Sequence, residues 1–188
     1  MTLSIPNILT LLRIFLIPVF LAVFYLPFAW SAQIAAVVFG VASLTDWLDG
    51  YLARRLGQSS PFGAFLDPVA DKLMVAAALI LVVERDPTAI MAVPAVVIIG
   101  REITISALRE WMAEVGERAR VAVSVVGKFK TAAQMVAILL LVYHQPLLGL
   151  PTYRIGLVLL YLAVLLTLWS MFVYLKAAWP TLNDEPRA

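Results

Sequence analysis

Six stretches of this chain, roughly 6–26, 32–52, 64–84, 88–109, 124–144 and 155–176, are long and apolar enough to form helices that cross a bilayer, which takes about 20 mainly apolar residues. No water-soluble fold has room to hide six of them. Composition agrees: 63% of the 188 residues are hydrophobic and 14% charged, where soluble domains average about 25% charged. The breaks, "LPFAWS", "LGQSSPFG", "ERDPT", "EVGERAR" and "HQPLLGLPTY", carry turn residues. The expected fold is therefore a single all-α integral membrane domain, residues 1–188, with six transmembrane helices.

Lysine and arginine set the expected orientation, since cytoplasmic loops collect them. With both termini on one side, that side receives Arg54, Arg55, Lys72, Arg101, Arg109, Arg118, Arg120, Lys128, Lys130, Lys176 and Arg187. The other side receives only Arg85 and Arg154. Both termini are thus expected in the cytoplasm. The first segment lacks a basic n-region and a small-residue cleavage site, so it reads as a retained helix. The absence of cysteine excludes disulfides and thiolate-bound metals. A formal charge of +2, with no basic tail, gives no reason to expect nucleic acid.

Against this apolar background, four of the 12 acidic residues fall in one stretch, "TDWLDGYLARRLGQSSPFGAFLDPVADK". Helix three has a clean apolar run only over residues 73–83, so to span it must take in Asp67, Asp71 and Lys72. Helix five must likewise reach back over Lys128 and Lys130, and helix four runs out of apolar residues near Arg101 and Glu102. An aspartate at the centre of a membrane helix costs about 2.5–3.5 kcal/mol on insertion scales, less toward the interface. Four carboxylates together therefore need an offset: protonation, basic partners or bound cations.

Their spacing suggests one shared site. Asp46 and Asp49, at i and i+3, share a helical face with Ala53, and Asp67 and Asp71, at i and i+4, share a face of the next helix. The short intervening turn makes these two helices antiparallel neighbours. Carboxylates without nitrogen or sulfur ligands suit hard cations such as Mg²⁺ or Mn²⁺, and four of them suffice for two ions. Small residues Gly50, Ala53 and Gly63 leave room for a bulky ligand, or else serve close helix packing.

The pattern Asp46-x2-Asp49-Gly50-x2-Ala53-Arg54-x8-Gly63-x3-Asp67-x3-Asp71 resembles the signature of the CDP-alcohol phosphatidyltransferase family. The likeness extends through "IPNILTLLRI", "REITISALREWMAE", "VAVSVVGKFKTAAQM" and "LTLWSM", over nearly the whole chain. It implies a six-helix membrane bundle, usually a homodimer, with a polar cavity open to the cytoplasm of the bacterial inner membrane. It implies that Asp46, Asp49 and Asp67 hold metal, that Asp71 is the general base and shares in metal binding, and that Gly50, Ala53, Arg54 and Gly63 hold the cytidine diphosphate of CDP-diacylglycerol. The extended likeness favours sn-glycerol 3-phosphate as acceptor, with CMP released; phosphatidylglycerol, inositol phosphate or serine are acceptors of other members.

A phosphorylated acceptor needs cations. Arg101 and Arg109, eight apart, stand near two turns on one face of helix four, and the resemblance supports them, with Lys128, as phosphate-binding residues. Positive-inside anchoring, or pairing with Glu102 and Glu110, is the bland account of the same charges. Asn7, Thr10, Arg13 and Lys130 are candidates for the pocket border, with helix capping and anchoring the competing role for the first three. The only histidine, His144, falls at the far end of helix five, which speaks against a phosphohistidine intermediate and for direct displacement. A cation channel or carrier would spread its acids along a path through the bilayer. Here they sit near one face, and the outer halves of the helices are nearly free of polar residues.

Overall fold

In the computed structural model, residues 5–56, 61–116 and 125–183 are described. They form six helices in the expected order: α1 (Ile5–Tyr25), α2 (Ser31–Leu56), α3 (Pro61–Arg85), α4 (Ala89–Glu114), α5 (Val125–Tyr143) and α6 (Thr152–Asn183). No strand occurs among the described residues, only an isolated bridge between Leu147 and Leu150. Prolines 18, 68, 94 and 180 lie inside helices, as membrane helices tolerate better than soluble ones. The charged segment after Arg109 begins as a continuation of α4 through Glu114. The helix then stops at Gly116, whose φ of 82° suits glycine.

Among the described residues, three helices hold windows long and apolar enough to cross a membrane: α1 over Asn7–Tyr25, α4 over Ala89–Glu114 and α6 over Thr152–Thr181. Within the described residues, α2 and α5 contribute shorter apolar helices, Ser31–Asp46 and Phe129–Tyr143.

Packing pairs α1 with α2 and α3, α5 with α6 and α2, and α4 with α3 and α6. The core is apolar in the half of the bundle away from the termini, where Phe20, Phe39, Leu79, Met91, Ile138, Leu141 and Leu160 are fully enclosed. Lipid is as apolar as leucine, so helices in a bilayer gain by close approach, not by escaping water. Alanines 35, 42, 78, 137 and 163 accordingly have no exposed surface. Contact is tightest between α5 and α6: a Cβ on Gly156 would stand 3.0 Å from Leu141 Cγ and 3.1 Å from the Ala137 carbonyl oxygen. The outward faces carry Phe15, Ile80, Val96, Leu165 and Trp169, all more than half exposed. An apolar belt of that extent belongs in lipid.

At the end away from the termini, side chains bind the loops together. Arg85 donates to the Val142 carbonyl at 2.8 Å, which satisfies an orphan at the end of α5, and lies 4.3 Å over the Phe24 ring. Tyr25 donates to Glu84, and Tyr153 to Asp86. Thr152 donates to the Gln145 carbonyl at 2.6 Å. His144 stands here, edge-on to Tyr153.

Candidate active site

Among the described residues, the buried charges Arg13, Asp49, Arg101 and Lys130 lie at the opposite end. Helix α1 runs between the acidic faces of α2 and α3 and presents Asn7, Thr10 and Arg13, all buried. Arg13 is 1% exposed and ties two aspartates of α2 together. Its Nη1 donates to Asp46 Oδ1 at 2.6 Å, and its Nη2 to Asp49 Oδ2. On the α3 side, Thr10 donates to Asp67 Oδ1. The i, i+3, i+6 spacing of Asn7, Thr10 and Arg13 brings one face of α1 onto the acidic stretch. Capping and anchoring do not describe Arg13; it is the basic partner of the acidic pair.

Asp71, one turn beyond Asp67, faces both ways. Its charge interacts with Asp46 and Arg13 on one side and with Glu102 and Lys72 on the other. It also lines a cavity of about 220 Å³ that opens between α3, α4, α5 and α6. Here the bases gather. Arg101, 9% exposed, donates through Nη1 to Glu102 Oε1 at 2.8 Å and through Nη2 to Ser170 Oγ at 3.1 Å. Lys130, from α5, donates to the same Glu102 oxygen at 3.0 Å. Arg109 donates to the Tyr174 hydroxyl at 3.3 Å. The Tyr174 ring lies beneath both guanidiniums, 5.4 Å from Arg109 Cζ and 5.8 Å from Arg101 Cζ, within cation–π range. Lys72 donates to Ser106. Two buried polar atoms of the lining, Arg101 Nε and Gln134 Oε1, have no partner among the described residues, a sign of a polar ligand. A second cavity of about 190 Å³, almost wholly apolar, adjoins the first between α3 and α4 and shares Lys72, Val75 and Glu102 with it.

Thus Arg101, Arg109 and Lys130 meet in one pocket with Asp71, while Asp46, Asp49 and Asp67 meet α1 beside it. Gly63 is buried at the head of α3. Gly50, Ala53, Arg54 and Lys128 lie on the backbones of α2 and α5, but their side chains fall outside the described residues. Sequence reasoning missed Tyr174, Ser170 and Gln134 and treated Glu102 only as a pairing partner. The i, i+4 spacing of Ser170 and Tyr174 on α6 was the available signal.

The acidic residues fit a hard divalent cation by donor chemistry, all being carboxylate oxygens on adjoining helices. They are not gathered as a finished cage: among the described residues no three acidic or histidine side chains surround one point, and Arg13 lies on two of the four aspartates.

A membrane-helix bundle that is apolar at one end and joins an acidic to a basic half-site at the other is built for a substrate that is part lipid and part charged headgroup. The chain belongs to the CDP-alcohol phosphatidyltransferase family, whose sequence model matches residues 3–169. It is 52% identical to a protein of Salmonella paratyphi A over 98% of this chain and 100% of the relative. A Pseudomonas fluorescens protein is 54% identical over 98% and 94%, and one from Shigella flexneri serotype 5b is 53% identical over 98% and 100%. All three relatives are named CDP-diacylglycerol–glycerol-3-phosphate 3-phosphatidyltransferase.

Proposed function

We propose that this protein transfers the phosphatidyl group of CDP-diacylglycerol to sn-glycerol 3-phosphate, giving phosphatidylglycerophosphate and CMP. The observation that carries the reading is Asp71, a carboxylate standing where the acidic and basic halves of one intramembrane site meet. The names of the relatives support the choice of donor and acceptor. The basic pocket receives the acceptor's phosphate: Arg109 and Arg101 offer planar donors, the latter with Nε uncommitted, and Lys130 adds a point charge. The adjoining apolar cavity suits an acyl chain of the liponucleotide. By family resemblance, Gly50, Ala53, Arg54 and Gly63 hold its cytidine diphosphate.

A hydroxyl oxygen of the acceptor then attacks the phosphorus that bears diacylglycerol. The bond from that phosphorus to the CMP oxygen breaks, and the hydroxyl proton passes to Asp71. A carboxylate is a weak base, so orientation by Arg101 and Arg109 supplies much of the rate. Asp46, Asp49 and Asp67, with a share from Asp71, would hold Mg²⁺ or Mn²⁺, one ion or two. Such an ion, when bound, neutralises the diphosphate and stabilises the leaving oxygen. The protein is placed in the bacterial inner membrane with all six helices spanning, the polar site facing the cytoplasm, and homodimeric. Lysine and arginine distribution supports the sidedness, and family resemblance the dimer. A channel or carrier is disfavoured because the core at the far end is filled by apolar side chains.

The test is CMP release by detergent-purified protein given CDP-diacylglycerol and Mg²⁺ or Mn²⁺, with each candidate acceptor supplied separately. Release coupled to phosphatidylglycerophosphate formation only with sn-glycerol 3-phosphate is the expected result. Release with another alcohol instead moves the acceptor, and none from folded protein overturns the enzyme reading.

A further inference from the structure

Two acidic side chains, Asp71 and Glu102, line the basic pocket, and Glu102 is ion-paired to two of its cations. It neighbours Arg101 in sequence, and adjacent helical residues do not normally face each other. Yet one oxygen of its carboxylate accepts both from Arg101 at 2.8 Å and from Lys130 at 3.0 Å. The two cations come from different helices, α4 and α5, so the carboxylate stands between them. It lines the cavity together with Asp71 and Arg109.

Taking this pocket as the acceptor site, we propose that Glu102 is a resident anion that holds Arg101 and Lys130 in the ligand-free protein and is displaced from them by the acceptor's phosphate. Two buried cations without a counter-charge would be costly, and each would drift toward other partners. Glu102 keeps them aimed at one point. A phosphate monoester carries about −1.5 to −2 charge and three acceptor oxygens, so it outcompetes a single carboxylate for the same donors. Arg101 Nε, which Glu102 leaves unpaired, gives the phosphate a contact that the carboxylate does not take. A neutral alcohol brings nothing to exchange and leaves the ion pairs closed. Glu102 thereby selects for acceptors that carry their own dianion, at some cost in affinity for them.

The two possible roles of Glu102 have opposite signs. If it only positions the cations, its removal weakens anion binding; if it competes with the ligand, removal strengthens it. Binding of inorganic phosphate and of sn-glycerol 3-phosphate to the full-length detergent-purified protein is measured by calorimetry, without liponucleotide. KM for each substrate is measured alongside. Glu102→Gln is expected to bind both anions about 5–20-fold more tightly and to lower KM for sn-glycerol 3-phosphate, with KM for CDP-diacylglycerol changed less than about twofold, the gain expected when one nearby charge is removed from a partly solvated site. Glu102→Asp, too short to reach both cations, should fall between wild type and Gln, and it serves if Gln does not fold. Weaker binding, or binding unchanged in both variants, overturns the exchange. Failure of the acceptor reading looks different: wild type then binds neither anion, and Arg109→Ala leaves KM for sn-glycerol 3-phosphate untouched. The exchange falls with it.

Discussion

Arg13 sets the electrostatics of the acidic half-site. Breaking a buried ion pair by removing one partner costs about 3–5 kcal/mol, because the other charge is left uncompensated. Arg13→Gln should therefore melt well below wild type in EDTA, as read by thermal unfolding in detergent. Mg²⁺ or Mn²⁺ should recover part of the loss, since the freed carboxylates of Asp46 and Asp49 gain another cation. A variant that melts like wild type in EDTA would show that the pair contributes little. Asp71→Asn keeps the shape of the side chain and removes the base. A general base is worth about 10²–10⁴-fold, so kcat should fall by that much while CDP-diacylglycerol still binds; full activity would remove Asp71 from the chemistry. Arg109→Ala loses a charge-assisted contact worth about 1.5–3 kcal/mol. KM for sn-glycerol 3-phosphate should rise about 10–100-fold, with a smaller effect on the liponucleotide.

At the scale of elements, six apolar runs foretold six helices because a bilayer leaves the backbone almost no other choice. The acidic stretch was equally legible, since four aspartates at helical spacings in so apolar a chain have few bland explanations. The rotation of each helix about its own axis was not legible. That rotation turns Arg13 onto Asp46 and Asp49, brings Glu102 to Lys130, and slides Tyr174 under two arginines. Such meetings join residues far apart in the chain, and local spacing does not encode them. Close helix contact carries its own prediction. Gly156→Ala forces Leu141 and the Ala137 carbonyl to give way, and overpacking costs about 1–3 kcal/mol. Its melting temperature should drop, whereas Gly100→Ala, where a Cβ meets nothing within 4 Å, should leave stability unchanged or slightly raised. Equal behaviour of the two would mean that α5 and α6 adjust freely.

For the whole molecule, the proposed sidedness is open to a clean test because the chain has no cysteine of its own. A membrane-impermeant maleimide should label Leu148→Cys in spheroplasts, that residue being 94% exposed in the loop between α5 and α6. Val115→Cys, just past α4 and 45% exposed, should react only after lysis. The reverse pattern would turn the protein over in the membrane. The ties from Arg85 to Val142, Tyr25 to Glu84 and Tyr153 to Asp86 have a mechanical consequence as well. A tilt about the tied end moves the site, which lies at the opposite end of the same helices, more than it moves the ties. In α3 fourteen residues separate Asp71 from Arg85, about 21 Å of helix, so a tilt of about 5° would move Asp71 by about 2 Å. A shift of that size is on the scale of a hydrogen bond, so the width of the site is sensitive to tilts that leave the tied end in place.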